Sequence, residues 1–273
     1  MNKEETKEKL KKSIQIYASQ NLAVAFSGGV DSSLLLYLAC RYRQEGVLVH
    51  AVILKTVLQT EEEMEDARQT AEKIGAVPWV LFADDWEKAG ILDNPPQRCY
   101  LCKKYMFQRL KEHVNRMGIT TVLEGTNRDD LDVYRPGRKA IRELGIISPL
   151  ADAGVTKSLV REMAEEYHIS TAHKPSAPCL ATRFPYGTRL TKEKLDMVAR
   201  GENFLHTLGM KEVRLRVHED IARIEVAEKE FPILLEQRQR VVKRLKEIGY
   251  SYITLDLQGF RSGSMDENLI NNR

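Results

Sequence analysis

The chain has 273 residues, of which 42% are apolar and 30% are charged, and its formal net charge is +3. A chain of this length corresponds to about two domains of ordinary size or to one large domain. The small net charge gives no general reason to expect nucleic-acid binding, and no apolar run reaches the ~18 residues that a membrane span requires.

The first two thirds of the chain alternate between predicted strands and helices. Apolar runs of strand length alternate with stretches of helical periodicity, which is typical of a doubly wound, mostly parallel α/β sheet with helices on both faces. Strands are predicted at 22–26, 47–54, 78–84, 121–126 and 146–150, and helices at 3–20, 31–45, 60–75, 102–117 and 156–167.

The alternation stops near residue 170. Residues 173–188 contain three prolines and show little periodicity, so we predict a first domain over 1–188 and a smaller C-terminal domain over 189–273. Helices at 191–208 and 231–248 and strands at 213–218, 222–226 and 252–258 indicate that this second domain is a small α+β unit.

A glycine turn, SGGVDSS at 27–33, follows the first predicted strand and opens a helix. Open α/β sheets bind ligands at such junctions, and the unpaired N–H groups and dipole of a helix start favour phosphate. Glycines let the backbone approach phosphate closely, and the Asp31 carboxylate suggests a bridging Mg²⁺. The alternative is a plain turn and helix cap. The predicted phosphate-binding residues are Ser27, Gly28, Gly29, Asp31, Ser32 and Ser33.

Three of the four cysteines are candidates for a shared centre. Cys99 and Cys102 form a C-x-x-C pair at the start of a predicted helix, where two thiolates can bind one metal centre, and Cys179 lies in the irregular segment. Three thiolates would leave one iron of a [4Fe–4S] cluster open. A redox dithiol with an unrelated third cysteine is the alternative. Cys40, within an apolar run, is expected in the core.

Four strings carry a resemblance to known proteins. The string at 27–33 resembles the PP-loop of the ATP pyrophosphatase superfamily, whose fold is that of the adenine nucleotide alpha hydrolases. The strings VLEGTNRDDLDVYRPG (122–137), KPSAPCLATRFPYG (174–187) and LDLQGFRSGSMDE (255–267) resemble the LarE family. These strings are spread from residue 27 to residue 267, so the resemblance extends over nearly the whole chain.

The resemblance implies an ATP-dependent sulfur transferase of nickel-pincer cofactor synthesis. Such an enzyme uses ATP and Mg²⁺ to adenylate the carboxylates of pyridinium-3,5-biscarboxylic acid mononucleotide. Sulfur then replaces AMP, and the thiocarboxylates later hold nickel in lactate racemase. The resemblance also implies a homohexamer, partners within the cofactor pathway, and neither nucleic-acid nor membrane binding. Because the chain shows no secretion signal, we expect it in the reducing cytoplasm.

The sulfur source follows from the cysteine pattern under this resemblance. In one branch of the family a single cysteine, here Cys179, loses its sulfur and becomes dehydroalanine. In a second branch three cysteines hold a [4Fe–4S] cluster that delivers an additional sulfide. The C-x-x-C pair, Cys99 and Cys102, is typical of the second branch.

The resemblance also implies roles for residues outside these motifs. Gly125 and Thr126, with Glu124, Asn127 and Asp130, would shape the ATP pocket at the end of a strand. Four arginines would bind the phosphate and carboxylates of the substrate: Arg183, Arg214, Arg216 and Arg261. Arg214 and Arg216 alternate on one strand and so share a face, which could equally be a solvated face. Glu202 and Glu225 match acidic positions that bind a metal in the sacrificial branch.

Three other functions remain open at this point. An iron–sulfur tRNA thiolase of the same superfamily would show salt-dependent tRNA affinity. An amidating enzyme of the NAD-synthetase kind would not need Cys179. A non-catalytic iron–sulfur carrier or nucleotide sensor would bind ATP or AMP without releasing pyrophosphate.

Overall fold

The computed structural model describes residues 2–55, 61–83, 85–133, 135–174, 179–261 and 264–265. The chain divides into two compact units, Met1–Ile91 with Gln97–Ala177, and Leu92–Pro96 with Pro178–Arg273. The boundary that we predicted after residue 188 falls inside the second unit.

The first unit is an α/β structure that follows the predicted alternation. Its strands are β1 (Leu22–Ala25), β2 (Val49–Lys55), β3 (Val77–Phe82) and β4 (Thr121–Leu123). Its helices are α1 (Lys3–Tyr17), α2 (Val30–Tyr42), α3 (Glu61–Ile74), α4 (Arg98–Asn115), α5 (Gly137–Glu143), α6 (Pro149–Ala153) and α7 (Lys157–Glu166).

The described strands of this unit form one parallel sheet in the order β3-β2-β1-β4. After β1 the chain moves outward through β2 and β3, and it then returns to place β4 on the other side of β1. The strand order therefore reverses between β1 and β4. In open α/β sheets, ligands bind beyond the carboxyl ends of the strands at such a reversal.

Both faces of this sheet are covered, which confirms the doubly wound prediction. Successive side chains of a strand point to opposite faces. Leu22 and Val24 accordingly pack in one core cluster with residues of α1, α2 and α7, whereas Ala23 packs in a second cluster with Phe107 and Leu110 of α4. Helices on both sides explain why β1 is a continuous apolar run rather than an alternating one.

The second unit is a small α+β structure. Its helices are α8 (Lys192–Thr207), α9 (Phe231–Glu236) and α10 (Arg238–Ile248), and its strands are β5 (Val213–His218), β6 (Ile221–Val226) and β7 (Tyr252–Leu255). β5 pairs with β6 antiparallel and β6 pairs with β7 parallel. The segment Leu92–Pro96 belongs to this unit because Leu190 N donates to Leu92 O at 2.8 Å and Gly187 N donates to Asn94 O at 3.1 Å.

Two predicted elements differ from the structure. The strand predicted at 146–150 is reduced to a single parallel bridge between Leu123 and Ile147, and α6 begins at Pro149. Proline lacks an N–H for a sheet ladder, but its fixed φ suits the first helical position. The helix predicted at 231–248 is divided into α9 and α10 at Gln237. Within the described residues, no helix combines the length and the apolar composition that crossing a membrane requires.

Candidate functional site

The predicted phosphate-binding turn joins β1 to α2 at the strand-order reversal. Gly28 has a φ of +69°, and a Cβ there would lie 3.2 Å from Ala67 Cβ, so both conformation and space favour glycine. The hydroxyls of Ser27 and Ser32 lie 3.1 Å apart, and Ser32 Oγ donates to Gly29 O at 3.0 Å. These contacts fix the turn with hydroxyl groups at the start of a helix.

Ser33, in the first turn of α2, carries a fully buried hydroxyl with no hydrogen-bond partner among the described residues. The backbone N of Ser33 is used within the helix, donating to Gly29 O at 3.0 Å. A buried hydroxyl without a partner costs free energy, on the order of 1–3 kcal/mol. Buried polar groups without a protein partner are usually satisfied by a ligand, an ion or an ordered water.

Asp31 is held by two side chains from distant parts of the first unit. Asn127 Nδ2 donates to Asp31 Oδ1 at 3.0 Å, and Lys157 Nζ forms an ion pair with Asp31 Oδ2. Asn127 follows β4, and Lys157 is the first residue of α7. Asp31 is therefore fixed in position while a fifth of its side chain remains exposed to a ligand, at 22%.

The residues after β4, which the sequence predicted to shape the ATP pocket, lie beside the start of α2. Gly125 lies so close to α2 that a Cβ would stand 3.0 Å from the backbone N of Ser32. Glu124 accepts a hydrogen bond from Thr126 Oγ1 at 2.8 Å and another from Ser148. Glu124, Gly125 and Thr126 follow the carboxyl end of β4, and ligands of open α/β sheets bind at this edge.

The C-x-x-C pair lies at the start of α4, and that helix begins four residues earlier than predicted, at Arg98. Cys99 is exposed and Cys102 is half-buried, and neither forms a disulfide. Residues three apart share one face of a helix, so both sulfurs belong to the same side of α4. Cys102 Sγ donates to Met106 Sδ at 3.4 Å.

The start of α4 is anchored to α5. A Cβ on Gly137 would lie 3.2 Å from Cys99 O, so only glycine permits this approach of the two helices. Tyr100 Oη donates to Glu143 Oε2 at 2.7 Å, and Lys104 Nζ lies 3.2 Å from the same oxygen. The two thiols therefore stand on a braced helix end.

Cys40 differs from these thiols. It packs against the core of the first unit, as expected, and burial raises the pKa of its thiol to about 11. Since the thiolate is the reactive and metal-binding form, Cys40 is unsuited to either role near neutral pH.

Cys179 belongs to the second unit and opens a short 3₁₀ turn over Leu180–Arg183. Its side chain is exposed, while its carbonyl accepts hydrogen bonds from Thr182 Oγ1 at 2.7 Å and Arg183 Nη1 at 3.3 Å. Arg183 is almost fully buried and forms a two-bond pair with Glu202, with distances of 2.8 Å and 2.9 Å. Glu202 Oε1 also accepts from Leu215 N at 2.8 Å. Cys179 thus stands on a turn tied to α8 and β5.

A second buried ion pair reaches the same turn. Arg216 Nε donates to Glu225 Oε2 at 3.0 Å, and Arg216 Nη1 donates to Thr182 O at 2.9 Å. Glu225 also accepts from Arg223 at 3.2 Å and from Ser264 at 2.9 Å. The two carboxylates predicted as metal ligands, Glu202 and Glu225, therefore already neutralise buried guanidinium groups.

Arg214 has a different environment from Arg216, although the two share a face of β5. No carboxylate lies within ion-pair distance of Arg214 among the described residues. Its guanidinium lies over the ring of Phe260, 5.1 Å from the centroid. Burial, and after it the neighbouring Arg183, lower the pKa of Arg214. Phe260 precedes Arg261, the fourth predicted substrate-binding arginine.

His218, at the end of β5, has a pKa lowered by burial and by Arg223, and its Nε2 has no hydrogen-bond partner among the described residues. The part of the chain that the structure describes contains no group of three His, Cys, Asp or Glu side chains that could hold a metal ion. Cys99 and Cys102 belong to the first unit and Cys179 to the second.

Three residues at these sites were not predicted from the sequence. Lys157 contacts Asp31, Ser148 donates to Glu124, and Arg223 shares Glu225 with Arg216. Lys157 follows a threonine N-cap in a form that many helices show, so only its long-range contact distinguishes it.

Comparison with known proteins gives matches over almost the whole chain. The PP-loop domain family matches residues 2–132. A pyridinium-3,5-bisthiocarboxylic acid mononucleotide synthase of Lactiplantibacillus plantarum is 38% identical over 250 residues, covering 92% of this chain and 90% of that protein. An uncharacterized protein of Synechocystis is 34% identical over 245 residues, covering 89% of this chain and 91% of that protein. A tRNA-specific 2-thiouridylase of Fusobacterium nucleatum is 27% identical over 179 residues, covering 56% of this chain and 47% of that protein.

Proposed function

Since this chain belongs to the LarE family of ATP-dependent sulfur transferases with a PP-loop domain, we propose that it makes thiocarboxylates on a pyridinium mononucleotide. The substrate of this proposal is pyridinium-3,5-biscarboxylic acid mononucleotide, and the product serves the nickel-pincer cofactor of lactate racemase. The observation that supports it most directly is the PP-loop at the strand-order reversal, facing the residues after β4.

The first half of the reaction is adenylation. A substrate carboxylate oxygen attacks the α-phosphorus of ATP, the bond to the β-phosphate oxygen breaks, and pyrophosphate leaves with the electron pair. Backbone N–H groups of Gly28 and Gly29 and the hydroxyls of Ser27, Ser32 and Ser33 would bind the phosphates. Asp31 would hold the Mg²⁺ that offsets phosphate charge.

The second half replaces AMP with sulfur. A sulfur nucleophile attacks the adenylated carbonyl carbon, and AMP departs with the bonding electrons, leaving a thiocarboxylate. Cys99, Cys102 and Cys179 would hold a [4Fe–4S] cluster, which supplies an exchangeable sulfide when it is bound. The exposure of Cys99 and Cys179, and the braced start of α4, support this assignment. In the alternative, Cys179 itself gives up its sulfur and becomes dehydroalanine.

The substrate would be held by arginines of the second unit. In this proposal Arg214 supplies the guanidinium for the substrate phosphate or a carboxylate, because no ion pair is described for it. Arg261 would assist from beside Phe260. Arg183 and Arg216 are already paired, so they would offer the substrate only their remaining N–H donors, and Glu202 and Glu225 would serve these arginines rather than a metal.

The test is a set of measurements on protein purified without oxygen. Iron and acid-labile sulfide are measured in the wild type and in the Cys99→Ala and Cys40→Ala variants. Pyrophosphate release and the mass of the pyridinium product are followed with ATP present. We expect iron in the wild type and in Cys40→Ala, no cluster in Cys99→Ala, and a product in which sulfur has replaced oxygen.

Two outcomes would change the proposal. An iron-free wild type that still makes product, with Cys179 converted to dehydroalanine in the intact mass, would assign the sulfur to Cys179. Absence of pyrophosphate release with the pyridinium substrate would reject the substrate itself.

A tRNA thiolase is the second candidate, since a tRNA-specific 2-thiouridylase matches just over half of the chain. Its chemistry would be the same two steps on a base oxygen. Filter binding of tRNA between low and moderate salt distinguishes the two, because phosphate contacts make affinity fall steeply with salt. Salt-dependent tRNA binding together with tRNA-stimulated pyrophosphate release would favour the thiolase.

We also propose a homohexamer acting in the cytoplasm, where ATP is abundant and thiols stay reduced. Light scattering coupled to gel filtration should give a mass six times that of the chain. A monomeric mass would reject the hexamer without affecting the proposed chemistry.

A further inference from the structure

The first residue of α7 reaches the phosphate-binding turn. Lys157 Nζ pairs with Asp31 Oδ2, while Asn127 Nδ2 occupies the other oxygen at 3.0 Å. Asp31 lies in the first turn of α2, two residues after Gly29. The ammonium group of Lys157 therefore stands at the mouth of the turn that would hold the phosphates, and its side chain remains 35% exposed.

The backbone of Lys157 is fixed independently of its side chain. Lys157 N donates to Asp129 Oδ2 at 2.8 Å, and the preceding Thr156 caps α7 by accepting from Leu159 N. The position of the Cα therefore does not depend on the ion pair with Asp31. The flexible side chain of Lys157 can therefore exchange Asp31 for another partner while its Cα stays in place.

A second lysine, Lys174, which follows α7 in the chain, approaches the same turn. A Cβ built on Gly28 would lie 4.0 Å from Lys174 Nζ. The segment that carries Lys174 is tied to α7, because Arg161 donates to Lys174 O at 3.4 Å and also to Ala172 O. Thus α7 positions one lysine at its first residue and a second through Arg161.

The negative charge of a triphosphate bound at the turn would have to be offset by cationic groups such as lysines. The triphosphate of ATP carries about four negative charges, whereas a helix N-terminus offers only about half a positive charge. Asp31 adds a negative charge at the same place. The departing pyrophosphate gains charge as its bond to the α-phosphorus breaks, so cations placed there stabilise the transition state more than the bound ATP.

We propose that Lys157 and Lys174 bind the pyrophosphate part of ATP and stabilise it as the leaving group. This inference rests on the proposed adenylation. Lys157 exchanges its contact with Asp31 for phosphate oxygens, which frees the carboxylate of Asp31 for Mg²⁺. Both lysines would then be catalytic residues of the first half-reaction, with no part in sulfur delivery.

The test uses Lys157→Ala, Lys157→Arg and Lys174→Ala in the full-length protein. Lys192→Ala is the matched control, because Lys192 is also the first residue of a helix capped by a threonine, Thr191. Pyrophosphate release is measured with saturating pyridinium substrate, and inorganic pyrophosphate and AMP are compared as inhibitors. Calorimetry follows the binding of inorganic pyrophosphate with Mg²⁺ without turnover.

We expect Lys157→Ala to lower kcat by about 100-fold, as loss of one charge-stabilising donor does. Its affinity for inorganic pyrophosphate should fall about tenfold or more, as loss of a hydrogen bond to a charged group predicts. Inhibition by AMP, which lacks the pyrophosphate, should stay within about twofold. Lys174→Ala should show the same pattern more weakly, Lys157→Arg should restore part of the activity, and Lys192→Ala should match the wild type.

Three results would overturn the inference. If Lys157→Ala lowers the thermal midpoint but leaves kcat and pyrophosphate affinity unchanged, Lys157 is only a structural partner of Asp31. If AMP and pyrophosphate inhibition weaken equally, the lysines do not serve the leaving group. If wild-type protein releases no pyrophosphate, the proposed adenylation fails, and unchanged calorimetric binding in Lys157→Ala would still reject the lysines separately.

Discussion

The turn at residues 27–33 in the first unit differs from the arginine–glutamate cluster of the second unit in how its polar groups are used. That cluster consists of Arg183, Arg216, Glu202 and Glu225. At the turn, a buried Ser33 hydroxyl lacks a partner among the described residues, and Asp31 remains partly exposed. In the cluster, Arg183 and Arg216 are buried and their charges are matched by Glu202 and Glu225. The turn leaves polar groups without full protein partners among the described residues, whereas the cluster uses most of its polar groups to hold itself together.

This difference shows that an arginine in a sequence motif need not be available to bind a substrate. A guanidinium that is already paired inside the protein has few donors left for a substrate. Of the two arginines of β5, Arg216 is paired in this way, and Arg214 has no ion pair within the part of the chain that the structure describes. The comparison therefore predicts that changes in the cluster reduce stability first, and that changes at the turn reduce activity first.

Glu225→Ala should have the largest effect on stability. The change leaves the buried Arg216 without its carboxylate, which typically costs about 3–5 kcal/mol, and it also removes one partner of the half-buried Arg223. Urea unfolding followed by circular dichroism should show this loss. The control is Glu65→Ala, which breaks an exposed pair with Arg68 and should leave the midpoint unchanged. Equal midpoints for both variants would contradict the structural role of the cluster.

Asp31→Ala should show the reverse pattern. We expect pyrophosphate release to fall by about 100-fold, because the proposed Mg²⁺ ligand is lost. The thermal midpoint should stay within about 2 °C, since the side chain is partly exposed and its ion pair with Lys157 is screened by water. Differential scanning fluorimetry and a pyrophosphate assay on the same preparation provide both numbers. A large loss of stability with normal activity per folded molecule would remove the contrast between the two regions.

Gly125→Ala tests how closely the turn is packed. The added methyl group would stand 3.0 Å from Ser32 N and 3.2 Å from Ser32 Cα, so backbone atoms would have to move. Overpacking of this kind costs about 1–3 kcal/mol. The shift would act on the predicted phosphate-binding turn, so we expect a higher KM for ATP. We also expect a lower thermal midpoint of unfolding. Gly118→Ala is a control for stability, because a Cβ there meets no atom within 4 Å, although its positive φ adds strain of its own.

The environment of His50 predicts that the stability of the first unit depends weakly on pH. Burial lowers its pKa, and its Nδ1 accepts a hydrogen bond from Trp79 Nε1 at 2.9 Å, which requires that nitrogen to be unprotonated. A lowered pKa in the folded state means that the contribution is present above the unfolded pKa of about 6.5. It is lost as the pH falls through the folded pKa. Tryptophan fluorescence between pH 7 and 5 (~two units) should therefore change in the wild type and much less in His50→Gln. The same titration in both proteins would exclude His50 as the cause.

The sequence predicted local features well where one chain segment determines them. The apolar run before Gly28 and the helix after it appear as β1 and α2, and the C-x-x-C pair lies at a helix start as expected. The prediction of a strand at 146–150 was wrong, because the apolar run itself does not show that Pro149 will begin a helix. The PP-loop and the LarE motifs identified the family, which the comparisons confirm.

Long-range pairing was not predictable in the same way. Lys157 and Asp31 are separated by 126 positions, and Arg183 and Glu202 by 19. Nothing in the spacing of either pair indicates contact, because the contact depends on how helices and strands pack. Burial decides whether a charged residue supports the fold or faces a ligand, and burial of a charged residue leaves no local pattern.

The position of β4 beside β1 also bears on how the protein folds. β4 has three residues, and its register pairs Leu22 with Thr121 across a long stretch of intervening chain. Pairing at such a sequence separation is slow, because the entropy of closing the loop must be lost before the contacts form. If the residues after β4 help to bind ATP, as proposed, we expect a chain emerging from the ribosome to gain affinity for ATP only after β4 has been synthesised and docked. Recovery of ATP binding during refolding would then report the completion of this sheet rather than the collapse of its core.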